Sequence, residues 1–264
     1  MRVALVQLSS TDDVECNLAA ARAGIDEGVA AGAAFVALPE AFAFLRREGA
    51  RIPEPGALAT RVAGWLSEVA RERGVWLLGG SIPEPSRDGR LHNTTLVLAP
   101  DGRVAGRYRK IHLFDVDLDG SGRFRESDVY APGRDPIVVA TPFGGVGLSI
   151  CYDLRFPELY RRLVDAGARW LCVPSAFTRE TGAAHWEVLL RARAIESQCF
   201  VLAPAQCGHH GPDRASFGHS LVVDPWGGVL ARAGDEPTVL VADCDPAAIE
   251  RARRAVPSLR NRRL

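Results

Sequence analysis

Lysine is nearly missing from this chain. Its 264 residues carry 32 basic side chains, Lys110 is the single lysine among them, and the other 31 are arginine. A composition drifted toward arginine can leave one lysine by chance. It can also mark a place where a planar guanidinium fork does not fit and a compact ammonium with three rotatable donors does. Net charge is missing too, since 32 acidic residues balance the basic ones. Without a surplus there is no global electrostatic footprint for nucleic acid or an anionic membrane surface, so the expected partner is a small molecule or another copy of the chain. No apolar run approaches the length of a membrane span, and the first, Val3 to Leu8, is too short for a signal h-region. A soluble cytoplasmic protein is expected. Six cysteines (Cys16, Cys151, Cys172, Cys199, Cys207, Cys244) include no CxxC pair, which excludes a zinc ribbon and, with no secretory leader, a disulfide framework. No linker, charge run or fixed-period repeat divides the sequence, and one domain over 1–264 is expected. A chain of this length can bury roughly three quarters of its unfolded surface.

What is present is an alternation of short apolar β-rich runs with helical periodicity. Strands are expected at 3–7, 34–38, 75–78, 93–98, 104–109, 137–140, 146–150, 170–173, 200–203, 220–223, 229–232 and 238–242. Helices are expected at 14–32, 57–74, 157–167, 184–198 and 246–254, with a loop rich in Gly, Asp and Arg over 115–133. Asp101-Gly102 marks a hairpin turn. About a dozen strands are too many for one comfortable open sheet. Two packed mixed sheets with helices outside, an α/β architecture, is the expected arrangement.

Three strands each finish in a reactive residue. Phe35-Val36-Ala37-Leu38-Pro39 leads to Glu40, the strand from Val104 to Arg109 leads to Lys110, and Val146-Gly147-Leu148-Ser149-Ile150 leads to Cys151. In α/β folds ligands sit at the carboxyl ends of strands, so a carboxylate, an ammonium and a thiol can converge. Cys151 follows a buried strand and precedes a turn into a helix that starts at Pro157, the layout of a nucleophile elbow.

Leu38-Pro39-Glu40, Tyr108-Arg109-Lys110-Ile111-His112-Leu113-Phe114-Asp115 and Cys151-Tyr152-Asp153-Leu154-Arg155-Phe156-Pro157-Glu158-Leu159 resemble the Glu, Lys and Cys motifs of the nitrilase, or carbon–nitrogen hydrolase, superfamily. They stand in the family's order and span essentially the whole chain. The resemblance implies a four-layer α-β-β-α sandwich, a Glu40-Lys110-Cys151 triad, no cofactor, and hydrolysis of a non-peptide carbon–nitrogen bond. No metal site is expected either, because His185-Trp186-Glu187 lacks the Pro-Cys-x-x-Cys that a zinc deaminase requires. Glu126 matches a second glutamate of the family that helps hold the lysine and substrate. The residue types suit such chemistry: a thiol with pKa about 8.5 needs a base to become a thiolate. Glu40 can take that proton and return it to the leaving amine, while Lys110 and backbone N–H groups receive the oxyanion.

True nitrilases usually carry Trp-Glu where this chain has Tyr152-Asp153, which weakens the case for nitriles. Pro174-Ser175-Ala176-Phe177-Thr178, Ala205-Gln206-Cys207-Gly208-His209-His210 and Gly218-His219-Ser220 are similar to the branch of deaminated glutathione amidases, with Phe217 standing where that group tends to have tyrosine. The expectation is a small anionic amide cleaved to a carboxylate and ammonia through a Cys151 thioester. An anionic substrate calls for cationic partners, and Tyr152, Arg155, Arg179, Thr181 and His185 are the substrate-binding candidates. The alternatives are an omega-amidase acting on α-ketoglutaramate-like amides, a Cys-His hydrolase, and an inactive scaffold serving as an interaction module. The resemblance also implies a homodimer or higher homo-oligomer. Gly144-Gly145-Val146-Gly147 precedes a strand rather than opening a helix, so it is no phosphate loop. The arginine-rich C-terminus reads as a solvated or dimer-contacting tail rather than a nucleic-acid arm.

Overall fold

The computed structural model describes residues 1–46, 50–118, 122–211 and 214–263. The chain runs through β1 (Arg2–Gln7), α1 (Val14–Ala30), β2 (Phe35–Leu38), α2 (Pro55–Arg73), β3 (Trp76–Gly79), β4 (Ile82–Pro85), β5 (Leu91–Leu98) and β6 (Val104–Arg109). Next come β7 (Asp115–Leu118), β8 (Gly122–Arg125), β9 (Val138–Thr141), β10 (Gly144–Leu148), α3 (Pro157–Asp165), β11 (Ala168–Cys172), α4 (Arg179–Ser197) and β12 (Phe200–Ala203). The remainder is β13 (Cys207–His209), β14 (Ala215–Phe217), β15 (Leu221–Val223), β16 (Val229–Arg232), β17 (Thr238–Asp243), α5 (Ala247–Ala255) and α6 (Ser258–Asn261).

Two mixed sheets form. One has the order β17-β1-β2-β3-β5-β4 with β6 also on β5, and the other the order β16-β15-β12-β11-β10-β9. In each, three successive strands are parallel, β1-β2-β3 and β10-β11-β12, because each pair is joined by a helix that crosses back over the sheet. Strand alternation then sorts the core. In β1, Val3 and Leu5 face the second sheet while Ala4 and Val6 join the cluster built with Leu18, Ile25, Val62 and Leu66 of α1 and α2. Helices α3 and α4 cover the other sheet, with Leu163 and Leu190 in the central cluster. The layers are therefore α-β-β-α, as the resemblance implied.

Phe143, in the β9–β10 turn, sits edge-on to Phe35 and Trp76 of the first sheet and to Trp170 of the second, at 5.9, 6.0 and 6.2 Å between ring centroids. Trp170 stacks on Phe200 and donates its indole N–H to the Phe143 carbonyl at 3.0 Å. One aromatic turn thus keys the sheets together, and the fully buried rings it touches, Phe35 and Trp170, each contribute about 1.5–3 kcal/mol by burial.

The structure adds strands to those expected from sequence. β4 holds Pro83 and Pro85 and pairs with β5 alone, the edge position where proline is tolerated. Two short hairpins, β7-β8 and β13-β14, form small sheets of their own; β7, β8 and a 3₁₀ turn (Glu126–Asp128) occupy the expected 115–133 loop, of which 119–121 lie outside the described residues. Helix α4 begins at Arg179, five residues before the expected start. The glycine that hid this turn, Gly182, is there for packing: a Cβ would stand 2.4 Å from Phe217 Cβ.

Candidate active site

Glu40 leaves β2 in a turn with no room to spare. Ala41 adopts φ +54° and donates its N–H to Ser81 Oγ at 2.9 Å. Gly80 packs so closely on this turn that a Cβ would lie 2.1 Å from the Pro39 carbonyl oxygen. Lys110 continues the β5–β6 ladder, its N–H donating to Asn93 O and its carbonyl accepting from Gly133 N, both at 2.8 Å. Cys151 follows β10 with φ +48°. A left-handed cysteine stores about 1–3 kcal/mol of strain, held here by its N–H bond to Pro174 O at 3.0 Å and by Asp153. Wholly buried Asp153 accepts from Ile150 N–H at 2.9 Å, Tyr108 O–H at 2.6 Å and His112 N–H at 3.0 Å. One carboxylate therefore ties the elbow to the strand that delivers the lysine.

These three strand ends meet. The Lys110 ammonium, 2% exposed, donates to Glu40 Oε1 at 3.1 Å and to Glu126 Oε1 at 3.1 Å, with Glu126 Oε2 2.9 Å away. Asn93 Nδ2 repeats the bridge, donating to Glu40 Oε1 at 2.8 Å and Glu126 Oε1 at 3.2 Å. The Ala176 N–H holds Glu40 Oε2 at 2.9 Å, and the Phe114 N–H holds Glu126 Oε2 at 2.6 Å. Burial works against the charge on Glu40, yet the Lys110 ammonium and hydrogen bonds from Cys151, Lys110 and Asn93 outweigh it and keep its carboxyl below the ordinary glutamate value. Burial likewise opposes charge on Lys110, but Glu126 and Glu40 hold it well above the usual lysine range. Burial and the Glu40 charge push the Cys151 thiol well up against the pull of Lys110 and the Ala176 N–H. The resting site is a neutral thiol beside an ionised carboxylate and an ammonium.

The group opens into a cleft. Of the candidates from sequence, Glu40, Lys110, Glu126, Cys151, Tyr152 and Thr181 line it. Arg155, Arg179 and His185 do not. Arg155 lies over the Tyr152 and Phe177 rings, 5.8 and 5.3 Å from their centroids, and meets His185 Nδ1 at 3.3 Å. It stiffens the cleft wall from behind. Arg179 and His185 sit exposed on the first two turns of α4. Phe217, beside them, stacks on His219 and packs on Gly182 rather than lining the cleft. Sequence reasoning missed Asn93, Tyr130 and three lining arginines, Arg46, Arg125 and Arg214. For Asn93 the signal was partial, since the Asp101-Gly102 turn pairs its strand with that of Lys110 but a bulge between Val97 and Leu98 sets the register. The loop arginines carried none.

A family model described as carbon-nitrogen hydrolase matches residues 2–254. The chain belongs to the carbon–nitrogen hydrolase family. A deaminated glutathione amidase of Synechocystis sp. is 43% identical to this hydrolase over 98% of the chain and 97% of its own length. Among solved structures, the NitFhit protein of C. elegans superposes with TM-score 0.91 at 40% identity, covering 99% of this chain, which spans 65% of that longer one. An amidase from Nesterenkonia sp. AN1, solved as a glutamate-to-glutamine variant with acrylamide added at its active-site cysteine, superposes at TM-score 0.83 and 28% identity, covering 99% of each chain.

Within this hydrolase, Asn93→Leu removes a donor to an ionised Glu40. That disfavours the charged form, so the acidic limb of the kcat/KM profile is expected to move to higher pH by about one unit, the size of a hydrogen bond to a charged group. An unmoved limb would show that Asn93 does not tune Glu40.

Among the described residues no helix is long and apolar enough to cross a membrane, and no group of three or more His, Cys, Asp or Glu could hold a metal ion.

Proposed function

We propose that this hydrolase is an amidase that cleaves deaminated glutathione through a thioester on Cys151. The observation that carries the reading is the buried ammonium of Lys110 set between Glu40 and Glu126, beside a thiol on a strained turn that faces the cleft. The relative named deaminated glutathione amidase supplies the substrate. Glu40 takes the thiol proton as Sγ attacks the amide carbon. Lys110 and the N–H groups of the elbow stabilise the oxyanion. Glu40 then protonates the leaving nitrogen and activates the water that opens the thioester. In deaminated glutathione that nitrogen belongs to cysteinylglycine, so the dipeptide leaves instead of the ammonia expected of a primary amide. Ammonia leaves from α-ketoglutaramate, the omega-amidase substrate, and both reactions yield 2-oxoglutarate.

Release of 2-oxoglutarate from the two amides tests the reading, with Cys151→Ala as the blank. A higher kcat/KM on deaminated glutathione, abolished in the blank, is the expected result. Preference for α-ketoglutaramate moves the protein to the omega-amidase reading, and no release from either removes both substrates. The proposed setting is the cytoplasm, as a homodimer or larger assembly. Apolar side chains left exposed on α4 and the β15–β16 hairpin, among them Val188 at 69% and Trp226 at 62%, favour self-association, which light scattering on a sizing column reads directly.

A further inference from the structure

The cleft carries more positive charge than the triad accounts for. Arg46, Arg125 and Arg214 line it together with Lys110. Arg125 is committed, since its guanidinium pairs with Asp117 at 2.8 Å and donates to the carbonyls of Val116 and Phe124. Arg46 and Arg214 show no such ion pair among the described residues: Arg46 donates from Nη1 to Ala50 O at 2.9 Å, and Arg214 from Nη1 to Arg46 O at 3.2 Å. A guanidinium has five donors, so among the described residues each arginine has donors to spare at the cleft wall.

The two arginines reach the cleft from separate parts of the chain, on scaffolds that hold them. Arg46 ends the segment that follows Glu40, where Leu45 N–H bonds Thr11 O at 2.9 Å. Arg214 leads into β14, opposite His210, whose N–H bonds the Arg214 carbonyl at 2.9 Å. His210 is buried, with its ring nitrogens 2.8 Å from Ser10 O and 2.8 Å from Ser216 Oγ. Burial pushes its pKa down to about 4, so this anchor is neutral at physiological pH. Tyr130 lines the same cleft, and burial and Glu126 push its pKa up to about 12 while Arg46 and Arg214 pull it down. The phenol ring thus neighbours both charged groups.

We propose that Arg46 and Arg214 form a carboxylate-binding subsite that grips the acyl half of the substrate, the end that stays on the enzyme as the thioester. The inference rests on the amidase reading above. Both candidate amides share one acyl chain, an α-keto acid whose carboxylate lies four bonds from the scissile carbonyl. A planar fork suits such a carboxylate better than an ammonium does. A chain that spends its one lysine at the oxyanion leaves this task to arginine.

The test uses Arg46→Gln, Arg214→Gln and Arg214→Lys. The first leaves the Arg46 carbonyl, and hence the Arg214 contact to it, in place. The readout is the ratio of kcat/KM on α-ketoglutaramate to that on butyramide, which carries no charge, and the same ratio for deaminated glutathione. Each glutamine variant is expected to lower both ratios about 10- to 100-fold, the usual worth of a charge-assisted hydrogen-bonded pair, chiefly through KM. Arg214→Lys is expected to recover part of the loss. Ratios within about threefold of the parent overturn the subsite. Loss on deaminated glutathione alone also overturns it, because the contact would then lie on the glycine carboxylate of the leaving group. Calorimetric binding of 2-oxoglutarate to Cys151→Ala protein, with and without the arginine substitutions, separates this idea from the substrate reading. Binding that needs both arginines, in a protein that hydrolyses neither amide, retains the subsite and removes the substrate. Binding indifferent to them overturns the subsite while hydrolysis stands.

Discussion

Exchanging Lys110 for arginine is expected to lower kcat/KM about 10³-fold, although the charge is kept and the chain uses arginine everywhere else. Losing one oxyanion donor alone removes about 10²–10³ in rate. The ammonium also sits where a fork has no room: it is 2% exposed and held by two carboxylates at once, on a backbone that a ladder bond to Asn93 pins in place. A guanidinium centred between Glu40 and Glu126 must displace one of them or shift Asn93, and overpacking of that kind destabilises by about 1–3 kcal/mol. Steady-state kinetics with a thermal melt alongside reads both effects. Activity within tenfold of the parent would mean that the lone lysine is a residue of compositional drift. Lys110→Met is the harsher companion. It leaves buried Glu40 and half-buried Glu126 without the ammonium between them, held only by Asn93 and backbone N–H groups, a loss of up to about 3–5 kcal/mol that the melt should register even where activity is gone in both.

Glu40→Gln is expected to reduce kcat by about 10²–10⁴, the range for removal of a general base, and to erase the acidic limb of the pH profile. The sign follows from the balance at this carboxylate. Burial alone would raise its pKa, but Lys110 and the hydrogen bonds from Cys151, Lys110 and Asn93 bring the net value below the ordinary one. The base form is therefore present throughout the neutral range and is lost only as pH falls through a value under that of a free glutamate. In the glutamine variant nothing on that carboxamide titrates, so whatever rate remains should be flat there. Lys110 keeps its pairing with Glu126, which favours a folded variant. A variant that still shows the parental acidic limb would assign the proton transfer to another group, with Glu126 the first to examine.

The catalytic candidates were legible because each reactive residue ends a strand, and strands announce themselves by apolar runs. β2, β6 and β10 were all visible in that way, whereas the pairing of Asn93 with Lys110 is reached only through a bulge between Val97 and Leu98 beyond the Asp101-Gly102 turn. The four layers came from the resemblance; periodicity alone gave two sheets with helices outside. Three things stayed hidden for physical reasons. β4 carries two prolines that only an edge position tolerates. The first turn of α4 contains a glycine whose purpose is a close approach by Phe217. The cleft arginines sit on irregular backbone at positions 46 and 214, where no period links sequence to direction, whereas Arg155 and Arg179 drew attention by standing next to motifs and point elsewhere. Proximity in sequence to a catalytic residue says little about which way a long side chain turns.

The arrangement of the sheets gives the site an unusual dependence. Glu40 and Lys110 ride on one sheet and Cys151 on the other, so the contact between carboxylate and thiol depends on how the two sheets are seated on each other, a seating that Phe143 and the rings around it help to fix at the opposite ends of the strands. A slip of the two sheets by an ångström would disarm the thiol with every strand still hydrogen-bonded to its neighbours. Turnover is thus a caliper laid across the middle of the molecule, and it closes on its mark only while the two halves are fully seated.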